Sequence, residues 1–144
     1  MSGTDKILLV DDEADFVSAL SERIAHRGLA VDVADNGLKA LDLAGQNAYD
    51  AVILDLAMPE MDGIETLKRL LDLNPDLQVI LLTGRATLQQ GVEAMKLGAM
   101  DVLEKPARLD LLLDKIRKAQ ANRVLLVEKR NEEKIRKIVD NKAW

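Results

Sequence analysis

Ala51-Val52-Ile53-Leu54-Asp55 is the stretch that decides the fold, because four apolar residues run without interruption into one acidic residue. Asp50 precedes the run, and a segment containing Pro59 and Gly63 follows it. A short apolar run bounded in this way is typical of a strand buried on both faces of a sheet. In open α/β sheets, ligands bind beyond the carboxyl ends of the strands. Asp55 is therefore a candidate for chemistry.

Working outward from this run, strands and helices are predicted to alternate strictly. The predicted strands are residues 6–10, 30–34, 51–55, 78–82 and 101–104. Apolar residues at helical spacing lie between the strands and predict five helices. The first helix covers residues 14–27, the second begins at Asn36-Gly37, and the third runs from Gly63 to the stop at Asn74-Pro75. The fourth is capped by Thr87, and the fifth begins at Leu109. This order predicts a doubly wound α/β fold, with five parallel strands and helices on both faces. Periodicity does not give the order of the strands.

Composition limits the possible classes of function. The 144 residues suffice for one domain with an appendage, and the net charge of -5 argues against a general nucleic-acid surface. The sequence has no apolar run of the roughly 18 residues that a membrane span needs, and its polar start does not resemble a signal peptide. Cysteine is absent, which excludes thiolate catalysis and cysteine zinc sites. These features predict a cytoplasmic protein without a membrane role.

Polar residues follow four of the predicted strands, at the same edge of the sheet. They are Asp11 and Asp12, Asp55, Thr83 and Lys105. Carboxylates this close repel one another unless a cation offsets them, and oxygen ligands suit Mg2+. Mg2+ and Lys105 would then neutralise a phosphoryl group while the Thr83 hydroxyl donates to it. Asp55 would act as the nucleophile and form an acyl phosphate.

These residues resemble a known family. The motifs are Asp11-Asp12-Glu13, the block from Val52 to Gly63, Leu82-Thr83-Gly84 and Lys105-Pro106. In this order they resemble the receiver domain of bacterial two-component response regulators, from about residue 6 to residue 121. The resemblance implies phosphorylation of Asp55 by the phosphohistidine of a sensor histidine kinase or phosphotransfer protein. The resemblance implies a phosphoacceptor switch and not an enzyme. The only reactions it implies for the protein alone are self-phosphorylation from small donors and autodephosphorylation.

The resemblance also implies ligands and topology. Mg2+ would be held by Asp12 and Asp55, assisted by Asp11 and the carbonyl group of Ala57. Thr83 and Lys105 would contact the phosphoryl group. The strand order would be 2-1-3-4-5, as in flavodoxin-like folds, and the peptide bond before Pro106 would be cis.

Two positions depart from the family pattern. Val102 stands where the last strand usually carries a switch aromatic, and Ala107 stands where Phe often follows Lys-Pro. An aromatic rotamer change therefore cannot transmit movement of Thr83 in the usual way. We expect aliphatic repacking at the fourth helix to transmit it instead.

The last part of the chain lies beyond the resemblance. We predict a receiver domain over residues 1–121 and a helical extension over residues 122–144. Its charge-rich sequence lacks Gly and Pro, and one stripe contains Val124, Val127, Asn131, Ile135 and Ile138. The stripe fits a homodimer through the last helices, docking of a partner, or packing on its own domain. The sequence does not choose between a stand-alone receiver and the front of a longer regulator, and the output partner is open.

Three other functions fit the pattern less well. An aspartate-nucleophile phosphatase usually has a second Asp two residues after the nucleophile, where this chain has Ala57. A flavodoxin-like nucleotide binder needs a phosphate loop after the first strand, where Asp11-Asp12-Glu13 would repel phosphate. The intact set of acidic residues, Thr and Lys argues against a scaffold that is never phosphorylated. No segment resembles a DNA-binding helix-turn-helix or a catalytic output domain, so we expect no direct binding of nucleic acid by this segment.

Overall fold

The computed structural model describes residues 5–58, 62–84 and 88–142. The strands are β1 Lys6–Val10, β2 Ala30–Ala34, β3 Ala51–Asp55, β4 Val79–Thr83 and β5 Asp101–Glu104. The helices are α1 Ala14–Ala25, α2 Gly37–Gln46, α3 Gly63–Leu73, α4 Leu88–Leu97 and α5 Leu109–Lys142. All paired strands are parallel, in the order β2-β1-β3-β4-β5. The predicted α/β fold and strand order are confirmed.

Element boundaries differ from the prediction by one or two residues. β4 begins and ends one residue later than predicted, so that Thr83 belongs to the strand. α1 ends at Ala25, because a turn at residues 26–28 closes the helix and places Gly28 at a φ of 88°. The predicted cap at Thr87 and the motif residues Pro59 and Met61 lie outside the described residues.

Alternation along the strands builds one hydrophobic core on each face of the sheet. On one face Leu8, Val52 and Leu81 pack with residues of α2, α3 and α4. On the other face Ile53 and Ile80, among others, pack with α1 and the first half of α5. β3 and β4 are completely buried, which confirms the prediction that the apolar run from Ala51 is a strand covered on both sides.

The turn after β3 approaches the start of α3 closely. A Cβ atom at Gly63 would lie 2.7 Å from the Cα atom of Leu56, so no larger residue fits there without a backbone shift. The Asp62 side chain caps α3 by accepting a hydrogen bond of 2.9 Å from the N–H of Ile64. Glycine and the cap therefore hold α3 against the segment that follows Asp55.

α5 is much longer than the domain requires. It has 34 residues, which corresponds to about 50 Å of helix. Leu112, Ile116 and Ala119 are buried against the sheet, whereas residues 127–140 are all exposed. The predicted helical extension is thus continuous with the last helix of the domain. Among the described residues, no helix is both long and apolar enough to cross a membrane.

Candidate functional site

The register of the central strands brings the acidic residues together. Val10 of β1 pairs with Leu54 of β3, so the next residues, Asp11 and Asp55, leave the sheet side by side. Their side chains are buried, with 0% and 3% exposed, while Asp12 is exposed at the mouth of the site. Asp11, Asp12 and Asp55 each offer a carboxylate oxygen, and these oxygens lie within 4.8 Å of one another.

Lys105 supplies the positive charge of the site. Its Nζ atom donates hydrogen bonds to Asp11 Oδ2 at 2.8 Å and to Asp55 Oδ2 at 3.3 Å. The backbone places this side chain, because the Lys105 N–H donates to the Thr83 carbonyl at 2.7 Å. The peptide bond to Pro106 is cis, as the resemblance implies. The two most buried carboxylates therefore share one ammonium group.

Burial and these ion pairs shift the pKa values in the site. Burial raises the pKa of the Asp11 carboxyl, and the hydrogen bond from Lys105 only partly offsets it. Burial also lowers the pKa of Lys105, but the hydrogen bonds to Asp11 and Glu13 outweigh it, so the net shift is upward. Lys105 therefore stays charged, whereas burial disfavours the charged form of Asp11.

Thr83 occupies the last position of β4, next to the acidic cluster. Asp55 pairs with Leu82 across the β3–β4 ladder, and Thr83 is the following residue. Its side chain is fully buried, and its hydroxyl has no hydrogen-bond partner within the described part of the chain. A buried hydroxyl without a partner is costly, so Thr83 is a candidate donor to a ligand of this site.

The structure also shows where the predicted metal ligand Ala57 lies. It is exposed in the turn after β3, and its N–H donates to Asp55 Oδ1 at 3.0 Å. The backbone of this turn thus reaches the Asp55 carboxylate. The carboxylates of Asp11, Asp12 and Asp55 form an all-oxygen set of the kind that hard cations such as Mg2+ prefer. The residues present fit a divalent cation.

Sequence reasoning missed two residues that hold Lys105. Glu13 Oε1 accepts a hydrogen bond from Lys105 Nζ at 3.1 Å, and the ammonium lies 4.4 Å from the centre of the Phe16 ring. Glu13 is the residue before α1, and Phe16 lies in its first turn. The helical spacing of Phe16 indicates a core residue and carries no signal that its ring meets a cation.

The fold and the site together define a doubly wound α/β protein with a carboxylate cluster, a lysine and a threonine at the carboxyl edge of its sheet. Comparison with known proteins then gives the family. Residues 7–117 match the response regulator receiver domain. The match covers most of the chain, and the protein belongs to this family.

Individual relatives agree with this assignment. The chain is 41% identical over 113 residues to the transcriptional regulatory protein ZraR of Klebsiella oxytoca, which covers 78% of this chain and 26% of ZraR. A response regulator receiver domain protein from Clostridium thermocellum superimposes with a TM-score of 0.80, at 32% identity, over 85% of this chain and 98% of that chain.

A third relative was crystallised with ligands. It is a response regulator from Burkholderia pseudomallei with a phosphorylated aspartic acid, calcium ion and citrate, and it aligns with a TM-score of 0.73 at 31% identity. The alignment covers 88% of this chain and 74% of that chain. The chain spans between 26% and 49% of the length of the first curated relatives it matches. The family is thus established over the receiver domain.

Proposed function

We propose that this protein is a phosphoacceptor switch in which Asp55 receives a phosphoryl group in the presence of Mg2+. The donor is the phosphohistidine of a sensor histidine kinase or of a phosphotransfer protein. One observation carries the proposal. The buried Asp55 carboxylate lies beside two further carboxylates, a lysine ammonium at 3.3 Å and a buried threonine hydroxyl that has no partner in the described ranges.

The transfer is an in-line displacement at phosphorus. An Asp55 carboxylate oxygen attacks, the P–N bond to the donor imidazole breaks, and the electron pair of that bond remains on the imidazole nitrogen. Asp12 and Asp55 would hold Mg2+, with help from Asp11 and the Ala57 carbonyl. When bound, Mg2+ would supply positive charge for the phosphoryl oxygens.

Lys105 has to change partners during this transfer. Its ammonium now contacts Asp11, Glu13 and Asp55, and it would have to turn toward a phosphoryl oxygen on Asp55. Mg2+ at Asp11 would replace the charge that Lys105 provides there. The Thr83 hydroxyl would donate to another phosphoryl oxygen, a partner that the described residues do not provide.

The switch to the surface would pass through Thr83. A Cβ atom at Gly91 of α4 would lie 3.3 Å from the Thr83 methyl group and 3.3 Å from Val102 Cγ1. The methyl group therefore lies close to both α4 and β5. Movement of Thr83 toward the phosphoryl group would open space there, and aliphatic side chains would fill it.

The protein acts as a switch and not as an enzyme, apart from self-phosphorylation from small acyl phosphates and hydrolysis of its own aspartyl phosphate. The structure of the Burkholderia relative contains a phosphorylated aspartic acid and a calcium ion, which supports a role for a divalent cation in this chemistry. We place the exchange in the cytoplasm and assign the receiver to residues 1–121. The described segment is proposed to bind proteins and not nucleic acid directly, although relatives such as ZraR are named as transcriptional regulators.

Intact-mass measurement tests the chemistry. The protein is incubated with Mg2+ and a small acyl-phosphate donor, and the reaction is quenched over a time course. We expect one phosphoryl adduct that requires Mg2+ and is lost in Asp55→Asn. Asp62→Asn is the matched control, because Asn also caps a helix and α3 should be retained.

The same experiment separates the two candidate roles. An adduct on wild type and on Asp62→Asn, but not on Asp55→Asn, supports the phosphoacceptor. No adduct at any time point, in protein that binds Mg2+, contradicts it. That result would favour a scaffold that recognises partners without being phosphorylated.

A further inference from the structure

The Lys105 ammonium gives all of its N–H groups to carboxylates. It donates to Asp11 Oδ2 at 2.8 Å, to Glu13 Oε1 at 3.1 Å and to Asp55 Oδ2 at 3.3 Å. A lysine ammonium has three hydrogens, so these bonds use every donor that it has. Lys105 therefore has to release at least one carboxylate before it can donate to a phosphoryl oxygen.

The three carboxylates differ in their place relative to the metal cluster. Asp11 and Asp55 belong to it, since their oxygens lie with one of Asp12 within 4.8 Å of one another. Among the described residues, Glu13 is not a member of this cluster. With a divalent cation at the cluster, Asp11 and Asp55 would turn to the metal and two N–H groups of Lys105 would become free. The hydrogen bond to Glu13 would remain.

Phe16 also holds the Lys105 ammonium. The Nζ atom lies 4.4 Å from the centre of the Phe16 ring, and the Lys105 side chain is only 18% exposed. The face of an aromatic ring attracts a cation, and more strongly where water is largely excluded. Phe16 lies in the first turn of α1 and packs on the hydrophobic core between α1, the sheet and α5. The core thus fixes the ring without help from a metal ion.

Glu13 is placed to contact Lys105 and not to cap its own helix. It is the residue before α1, where a side chain often caps the helix, but its carboxylate makes no capping hydrogen bond to the described residues of α1. Its N–H donates to Asp11 Oδ1 at 3.0 Å, which fixes the start of the helix beside the site. The start of α1 therefore brings Glu13 and Phe16 to the same ammonium.

We propose that Glu13 and Phe16 are positioning residues that form a pivot for Lys105. The ammonium keeps these two contacts while its other two N–H groups leave Asp11 and Asp55 and become available to phosphoryl oxygens. The pivot holds the positive charge near Asp55 in the interval when neither of these two carboxylates holds it. This inference rests on the proposed phosphoryl transfer, but the pivot itself can be observed without a phosphoryl group.

Nuclear magnetic resonance of the full chain with carbon-13-labelled lysine tests the pivot directly. The ε-methylene signal of Lys105, assigned by its absence in Lys105→Met, should be shifted upfield by the Phe16 ring. The difference in this signal between wild type and Phe16→Leu measures the ring effect. We expect the difference to remain at saturating Mg2+, in protein that a titration shows to bind the ion. A difference that disappears on addition of Mg2+ overturns the proposal, because the ammonium would then have left the ring.

Replacement of the ring electrons tests whether the contact contributes to the transfer. Phe16 is the only phenylalanine of the chain, so incorporation of trifluorinated phenylalanine changes this ring alone. Fluorine withdraws electron density from the ring face and weakens its attraction for a cation, with little change in shape. At saturating Mg2+, the rate constant of phosphorylation by a small acyl-phosphate donor should fall about 3- to 10-fold. The Mg2+ affinity should stay unchanged, because the ring contact is the same with and without the metal.

Tyr49 provides the matched control. It is the only tyrosine, and its ring centre lies 5.6 Å from Lys6 Nζ, at the opposite end of β3 from Asp55. Ring-fluorinated tyrosine should therefore leave both the rate constant and the Mg2+ affinity unchanged. An unchanged rate constant with fluorinated Phe16 overturns the proposal. A higher Mg2+ affinity in the same protein would show that the ring holds Lys105 only in the metal-free state.

Combined variants show whether both residues act through Lys105. Glu13→Ala should lower the rate constant severalfold, and Glu13→Gln should recover part of it, because its amide oxygen still accepts from the ammonium. In the Lys105→Met background, neither Glu13→Ala nor Phe16→Leu should lower the rate constant further. A further loss there means that they act through packing and overturns the proposal. If the wild type accepts no phosphoryl group, the proposed function fails, and the labelled-lysine spectra still decide whether the pivot exists.

Discussion

Replacing Lys105 with Met should destabilise the metal-free protein and increase its affinity for Mg2+. The methionine side chain keeps most of the length of lysine and removes the charge. In the native protein the ammonium lies 2.8 Å from Asp11 and 3.3 Å from Asp55. Without it, these two buried carboxylates face each other with no cation between them.

The size of the loss follows from burial. Removing one partner of a fully buried ion pair costs about 3 to 5 kcal/mol. The Lys105 side chain is 18% exposed and Glu13 is 64% exposed, so water screens part of the interaction. Protonation of Asp11, whose pKa is already raised by burial, relieves part of the repulsion. We therefore expect the free energy of unfolding to fall by about 2 to 3 kcal/mol.

Urea unfolding with and without Mg2+ measures both effects. Without metal, Lys105→Met should unfold at lower urea with an unchanged m-value. With Mg2+, the variant should recover more stability than wild type does, because the ion no longer competes with the ammonium for the carboxylates. A direct Mg2+ titration should show tighter binding by the variant.

Lys115→Met is the matched control. Lys115 contacts Asp101 at 2.6 Å, but their side chains are 23% and 31% exposed and lie away from the acidic cluster. Its loss should cost at most about 1 kcal/mol and leave Mg2+ affinity unchanged. An equal fall in the free energy of unfolding in the two variants would refute the view that the Lys105 ammonium occupies the place of a metal ion. The same Mg2+ affinity in Lys105→Met and wild type would also refute it.

Three further outcomes are expected. On phosphorylation of the wild type we expect chemical-shift changes over residues 88–104. Thr83→Ala should still accept the phosphoryl group but should lose these changes. If the changes are the same in the variant, Thr83 does not connect the phosphoryl group to α4. Gly91→Ala raises the helix propensity of α4 but crowds the Thr83 methyl group, so the free energy of unfolding should change by no more than about 1 kcal/mol. The chemical-shift changes on phosphorylation should become smaller than in wild type. Chemical-shift changes as large as those of wild type would contradict the packing argument. The hydrogen bond from Tyr49, and secondarily the one from Lys6, lowers the pKa of the Asp32 carboxyl below 3.8. The ionised Asp32 carboxylate therefore stabilises the fold above that pH, and this stabilisation is lost as the pH falls through the native pKa. Tyr49→Phe should raise this pKa in a carbon-13 titration and make the acid loss of stability shallower; an unmoved pKa would contradict the assignment.

Much of the fold is predictable because the signals are local. The run from Ala51 to Asp55 is too short and too apolar for a surface helix, and alternation of such runs with helical segments allows few topologies. The site residues can also be placed, since the carboxyl ends of parallel strands meet at one edge. Register then brings Asp11 beside Asp55 without any further information.

The features that sequence reasoning misses depend on tertiary contacts. Glu13 and Phe16 surround Lys105, which is 92 residues from Glu13 in the chain, and no periodicity connects them. By its sequence Asp50 marks a strand boundary, whereas in the structure it is a buried anchor for Gln120 and Arg123. The stripe on α5 is visible in the sequence, but its direction relative to the domain depends on these anchors.

β3 runs from the residue after Asp50, which accepts hydrogen bonds from α5, to Asp55 in the proposed phosphoryl site. Four fully buried residues lie between Asp50 and Asp55, which are about 17 Å apart along the strand. Because β3 is close-packed on both faces, we do not expect it to transmit a change from one end to the other. Thr83 lies instead beside α4, where Gly91 and Val102 leave room for repacking. The signal should therefore leave through α4.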